Sequence, residues 1–297
     1  MPKVSLSTEK VSIKGISTVV AGVILISFDA LLVRLAAVDG WNVSFWRGLF
    51  MALAFLILSH FTSSCRIRSS DNRIWGVWLA ALMMAGSSLC LVLAFTLTRI
   101  ANAVVILSAA PLFAALISRI LLGERCSCRT WLAIIVCIAG VFWVMSGSLG
   151  TGTLLGDGLA VMSALFIGAY FTVFRRYPEI SRPAVIMRGG ILLCLAALPF
   201  ATPLSLPHSS YIWLMLAGLV QMPVALLLIT SATRFLPAAE VSLFLLLETC
   251  LAPIWVWLVL GESPPSTTFS GGILIVTTLF LHTLLGMYSR ARKHEID

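Results

Sequence analysis

Charge is what this sequence has least of. Of its 297 residues only 11% are Asp, Glu, Lys or Arg and 60% are hydrophobic, whereas soluble domains run near a quarter charged and about half apolar. Too few polar side chains are present to coat a water-soluble core of this size. The composition excludes an ordinary soluble domain and makes the bilayer the solvent. Histidine is scarce as well. His60, His208, His282 and His294 fall at different helix ends, which argues against the clustered acids and bases an intramembrane enzyme needs. Seven cysteines (Cys65, Cys90, Cys126, Cys128, Cys137, Cys194, Cys250) lie inside apolar runs or among arginines. With no CxxC pair and no matching histidine spacing, they read as free thiols and not as disulfides or a zinc site. No Walker A sequence occurs, so ATP hydrolysis by this polypeptide is excluded on motif grounds, and no cofactor or metal is expected. A cleavable signal peptide is not evident, because the first apolar run starts after about a dozen mostly polar residues and continues too long for one. The first helix is expected to stay in the protein.

What is present is a succession of apolar runs, each about the 20 residues that cross a ~30 Å hydrocarbon core. They lie at 14–36, 42–62, 75–97, 101–121, 130–148, 154–174, 184–204, 211–233, 238–260 and 268–289. Because they are continuously apolar, without alternation at period two, they predict ten transmembrane helices and not a barrel. The links are short, so neighbouring helices are expected to pack antiparallel.

The formal charge of +8 is spread singly and in pairs between these runs, which is a topology signal and no nucleic-acid surface. With the N-terminus inside, seventeen of the twenty basic residues fall on one side: Lys3, Lys10, Lys14, Arg66, Arg68, Arg73, Arg119, Arg125, Arg129, Arg175, Arg176, Arg182, Arg188, Arg234, Arg290, Arg292 and Lys293. Arg34, Arg47 and Arg99 fall on the other. Both termini, 1–13 and 290–297, are therefore expected in the cytoplasm. Trp41, Trp46, Trp75, Trp131 and Trp213 lie near the predicted span ends, where an indole is half wet.

The stretch LLGERCSCR at 121–129 returns as VLGESPPST at 259–267. A shift of 138 residues places Gly123-Glu124 on Gly261-Glu262, Ala101 on Ala239, Leu107 on Leu245 and Ala114 on Ala252. Five helices per half, 14–148 and 154–289, put the second copy upside down in the membrane. Inversion explains why the first Gly-Glu keeps Arg125 and Arg129 while the second has lost them. The plain reading of each Gly-Glu is a helix end followed by the next turn, with Pro264 and Pro265 entering the following helix.

The motif FWRGL at 45–49, the block from Leu93 through the Gly-Glu at 123–124 to Met145, GDGLAVMSALFIGAYFTVFRR from Gly156, LLLE at 245–248 and LVLGE at 258–262 follow one another in an order that resembles the drug/metabolite transporter superfamily, specifically its EamA-type ten-helix transporters. The likeness covers nearly the whole chain. It departs at Thr249, where such families often carry proline, with Pro253 four residues on. The resemblance implies a solute carrier, often an exporter of amino acids or related metabolites.

In inverted-repeat carriers the substrate site lies near the midplane between the halves. Glu248 is the leading candidate, since a carboxylate at that depth costs at least about 2.5–3.5 kcal/mol and must face a cavity, pair with a cation or hold a proton. Asp29, about 6 Å from the centre of the first helix at 1.5 Å per residue, is a second proton or amine site. Alternatively it forms a structural pair with Arg34, although five residues put the two about 140° apart around a helix. Thr249, Gln221, Ser87, Ser88, Asn102, Ser108, Ser163 and Tyr170 are candidates to line the same cavity, or to act as interhelical glue. Pro111, Pro223 and Pro253 free carbonyls in their helices, or simply bend them. Arg47, Asp157 and Glu240 near span ends suit architecture, as a snorkelling cation, an N-cap and a first-turn acid, with a gate as the second reading of Arg47.

The expectation is a secondary transporter in the inner membrane that moves a small metabolite, an amino acid or related amphipathic compound, outward by alternating access. Its partners would be that solute, lipid and protons, and it would work as a monomer or homodimer. An uptake permease of the same fold, an intramembrane enzyme and a non-transporting subunit are the alternatives. An apolar cavity with a few hydroxyls disfavours phosphorylated sugars.

Overall fold

In lipid every backbone polar group has to be satisfied within its own segment, and helix makes up most of the described residues in the apolar runs. The computed structural model describes residues 3–61, 74–98, 100–124, 126–146, 153–261 and 266–294, and no strand occurs among them. Arg99, Arg125, Glu262, Pro264, Pro265, Cys65, Arg66, Arg68 and Arg73 lie outside the described residues, as do the side chains of Lys3, Lys10, Arg290, Arg292 and Lys293.

In chain order the helices are α1 (Lys3–Ser27), α2 (Asp29–Ala36), α3 (Gly40–Phe61), α4 (Ile74–Leu97), α5 (Ile100–Leu107), α6 (Ala110–Leu122), α7 (Cys128–Met145), α8 (Leu154–Arg176), α9 (Arg182–Ala197), α10 (His208–Met215), α11 (Met222–Ala232), α12 (Ala238–Phe244), α13 (Glu248–Leu260) and α14 (Ser266–His294). A π-helical turn, Leu216–Gln221, joins α10 to α11, and a 3-10 turn, Leu245–Leu247, joins α12 to α13. Among the described residues seven rods are long and apolar enough to cross a membrane: Ile13–Ala36, Gly40–Ile57, Ile74–Ala94, Asn102–Leu122, Leu154–Arg176, His208–Ala232 and Ala238–Leu260. Two shorter apolar helices, Cys128–Trp143 and Phe269–Leu285, accompany them. The run expected at 184–204 stops early, with α9 ending at Ala197. Pro199 follows; it has no N–H for the next helical bond and its ring crowds the preceding turn.

Packing between rods follows the rule for helices in lipid, where small residues let backbones approach because apolar surface gains nothing by leaving an apolar solvent. At the α3–α9 crossing a Cβ on Gly48 would stand 2.6 Å from the Gly190 carbonyl oxygen, and one on Gly190 would stand 2.6 Å from that of Gly48. Gly22 brings α1 equally close to Ile229 of α11. Ser87 and Ser163 bridge α4 to α8, with their hydroxyls 3.1 Å apart and Ser163 Oγ donating to the Ser87 carbonyl at 2.9 Å. The buried core runs through Met51, Phe55, Phe174, Ile186, Ile229, Leu243 and Ile275. Leu82, Ile120, Leu132, Leu195, Leu258, Ile273 and Phe280 are exposed, as lipid-facing side chains are.

Polar contacts gather at the two ends of the rods. At one end Arg175 donates to Glu124 Oε1 at 2.8 Å and to the Thr233 carbonyl, while Arg176 reaches the Leu121 carbonyl. At the other Asn42 joins Asp39 to Thr202, Trp46 and Tyr211 both donate to the Pro203 carbonyl, and Thr98 donates to Asp157. Two local readings change here. Glu124 is the ion-pair partner of Arg175, and the next helix is capped by Ser127, whose side chain accepts from Thr130 N. Asp157 is not an N-cap: Thr153 caps α8 and Asp157 sits in its first turn.

Candidate functional site

The first span is interrupted at Phe28, between α1 and α2. Ser27 Oγ turns back to the Ile24 carbonyl at 2.7 Å, the local bond by which serine competes with the helical ladder. Gln221 reaches the next two carbonyls at this break, donating from Nε2 to Leu25 O at 2.9 Å and to Ile26 O at 3.2 Å. It can reach them because it ends the π turn, just before Pro223 in the first turn of α11. Gln221 is 6% exposed, and its Oε1 is buried without a hydrogen-bond partner.

The break presents Asp29 to Arg47 of α3. Arg47 Nη2 donates to Asp29 Oδ1 at 2.8 Å and to Oδ2 at 3.0 Å, and each side chain is 18% exposed. Asp29 thus pairs with an arginine eighteen residues on, across two rods, and Arg47 turns inward to it and not outward to the interface. Arg34, on the other side of the helix, is exposed and makes a separate interaction. Glu248, the first residue of α13, lies within electrostatic reach of both Asp29 and Arg47. Seven residues on, and so on the same face of the helix, Trp255 donates from Nε1 to Ser27 Oγ at 2.8 Å and stacks on Phe28, with centroids 4.4 Å apart and planes at 18°. Four rods therefore bring together two carboxylates, one guanidinium, an amide and an aromatic pair.

Glu248 is placed by the break in its own span, and the same break occurs in the other half. α6 and α13 are both thirteen residues long, and the 138-residue shift lays one on the other. Each ends on a glycine in the left-handed region, Gly123 at φ 67° and Gly261 at φ 73°, with Gly123 N bonded to Arg119 O and Gly261 N to Trp257 O. Pro111 opens α6 where Thr249 follows Glu248, and Pro253 sits inside α13.

Other candidates do not join this group. Thr249 Oγ1 and Ser108 Oγ fold back on their own helices, to Leu246 O at 2.7 Å and Val105 O at 2.6 Å. Ser87 and Ser163 are spent on each other, and Tyr170 is buried against Met84, Phe171 and Phe174. Ser88 and Asn102 are half-buried in α4 and α5. Pattern reading missed Phe28 and Trp255. It also missed that Arg47-Gly48 recurs as Arg188-Gly189, whose guanidinium lies 4.8 Å from the Trp78 ring centroid. A cavity of about 300 Å³ lies elsewhere, at the α6–α7 junction, lined by Ala115, Arg119, Cys126 and Trp131. Burial, then Glu240 and Glu124, push the Cys126 thiol up from its ordinary value.

Comparison with known proteins adds three findings. The model of the EamA-like transporter family matches twice, over residues 13–146 and 154–284. The chain is 26% identical over 179 residues to an uncharacterized transporter, YdfC, of Bacillus subtilis (strain 168), with 58% of each covered, so it spans somewhat more than half the length of this relative. A solved crystal structure matches 93% of this chain and 98% of its own with a TM-score of 0.78 at 17% identity, a likeness of fold alone.

Proposed function

The chain belongs to the EamA-like transporter family, and from that premise we propose that it carries a small amphipathic metabolite, an amino acid or related amine, outward across the inner membrane by alternating access. The observation that carries this reading is the Asp29–Arg47 ion pair with Glu248 beside it, inside apolar rods where an isolated charge costs several kcal/mol. A zwitterion matches such a group. Its ammonium faces Glu248 and its carboxylate competes with Asp29 for Arg47, while the Phe28–Trp255 pair meets an apolar side chain. Exchange of partners releases one acid at each step, and Glu248 serves as the proton-coupling group.

The two matched segments and the congruent breaks before α6 and α13 support a reading as two five-helix units, 14–148 and 154–289, lying in opposed orientations. The basic residues at 175, 176, 182 and 234 support a cytoplasmic position for their end and for both termini.

Counterflow of labelled amino acids in proteoliposomes tests the function: accumulation of unmodified label supports a carrier, and product formation would indicate an enzyme. Glu248→Gln is expected to fold normally and lose pH-dependent flux. Unchanged flux and pH profile in that variant would refute proton coupling at Glu248.

A further inference from the structure

The end of the bundle that carries Arg175 also holds two arginines that share one backbone acceptor. Arg182, the first residue of α9, donates from Nη1 to the Pro178 carbonyl at 3.3 Å, and Arg234 donates from Nε to the same oxygen at 3.3 Å. One carbonyl thus receives two cations, and no carboxylate among the described residues pairs with either; the nearby Glu124 is engaged by Arg175. Arg182 is 4% exposed, with its guanidinium carbon 5.4 Å from the Phe174 ring centroid. Its Nε and Nη2 are buried and make no hydrogen bond.

These two nitrogens are neighbours on one edge of the guanidinium. Together they form the side-on fork that binds a carboxylate or phosphate through two parallel hydrogen bonds. Buried charged donors left unpaired cost more than the roughly 1–3 kcal/mol of a neutral group, so this edge is binding capacity the protein holds and does not use internally. Burial, with Arg234 next, pushes the Arg182 guanidinium down to about 10, which leaves it charged at neutral pH. The N-terminus of α9, capped by Ser181, adds a further partial positive charge at this point.

We propose that Arg182 and Arg234 form a phosphate-binding site at this end of the transporter, with the Nε–Nη2 edge of Arg182 gripping two phosphate oxygens and Arg234 supplying the second charge. Two positive charges match a phosphate better than a single carboxylate, and the ring of Phe174 backs the planar fork. Such a group reaches the site either as free phosphate from the aqueous phase or as the headgroup of an anionic lipid at the membrane surface.

The thermal midpoint of the purified protein separates these sources. In neutral detergent it is titrated with inorganic phosphate against sodium chloride at equal ionic strength. In nanodiscs, zwitterionic lipid is compared with lipid containing phosphatidylglycerol. Stabilisation by phosphate over chloride assigns the free anion, and stabilisation by phosphatidylglycerol alone assigns the headgroup. In either case Arg182→Lys, which keeps the charge and loses the fork, is expected to raise the half-saturating concentration about tenfold or more. Arg234→Gln weakens the response, and Arg119→Gln, at an exposed arginine, leaves it intact. A wild type indifferent to both, a response unchanged in Arg182→Lys, or an equal loss in Arg119→Gln would overturn the proposal.

Discussion

Replacing Asp29 by Asn keeps the shape of the side chain and removes the charge facing Arg47. Charge centres about 4 Å apart attract by about 4 kcal/mol at an effective dielectric constant of 20. With each side chain only 18% exposed, the pair is too sheltered to be an ordinary surface bridge worth about 0–1 kcal/mol. Taking away one partner leaves the other as an uncompensated sheltered charge, which costs about 3–5 kcal/mol. Asp29→Asn is therefore expected to lower stability by about 3 kcal/mol. Arg47→Gln should cost at least as much, because it leaves Asp29 beside Glu248, another acid. The double variant has neither orphan and should recover most of the loss, giving a coupling energy of about 2–4 kcal/mol in a double-mutant cycle. Unfolding by SDS in mixed micelles, followed by tryptophan fluorescence, measures all four proteins. Single effects that add to within about 0.5 kcal/mol would mean that the pair is not energetically joined, and the reading of the site would fall with it.

Three other outcomes follow from the same geometry. Gly48→Ala pushes a Cβ to 2.6 Å from the Gly190 carbonyl oxygen and 2.8 Å from Cys194 N, backbone atoms that cannot rotate away, so a loss of about 1–3 kcal/mol is expected, whereas Gly158→Ala, with nothing within 4 Å, should change the same SDS midpoint little. Gly123→Ala and Gly261→Ala meet open space but hold φ at 67° and 73°, so each should cost about 1–2 kcal/mol through the backbone alone; a silent substitution at either would contradict its left-handed helix end. Maleimide labelling of Cys126 should rise at a higher pH than the ~8.5 of a free thiol, because burial and its acidic neighbours favour the neutral form, and Glu240→Gln should move that rise to lower pH.

Much of the candidate site was legible because charge is so costly in lipid. Glu248 and Asp29 stood out as carboxylates deep in apolar runs, and both belong to the group around Arg47. Gln221 was legible as one of few amides at mid-span, though its bonds to Leu25 and Ile26 were not. Arg47 was misread as a snorkelling cation because its position near a span end says nothing of where the side chain turns. The hydroxyls were the weakest signal: serine and threonine satisfy themselves on their own helix, as Thr249 and Ser108 do, or across one contact, as Ser87 and Ser163 do.

By itself the sequence determined the helical class, the position of most rods and the two glycine helix ends at 123 and 261. These are local matters: hydrocarbon dictates internal hydrogen bonding, and a left-handed residue needs no distant partner. Only the tertiary structure decided which charges meet. Asp29 and Arg47 are joined across separate rods, Trp255 reaches Phe28 over 227 positions of chain, and Arg182 and Arg234 converge on one carbonyl. Side-chain pairing depends on how helices cross and rotate. That is set by small-residue contacts such as Gly48 against Gly190, which no periodicity along a single segment encodes.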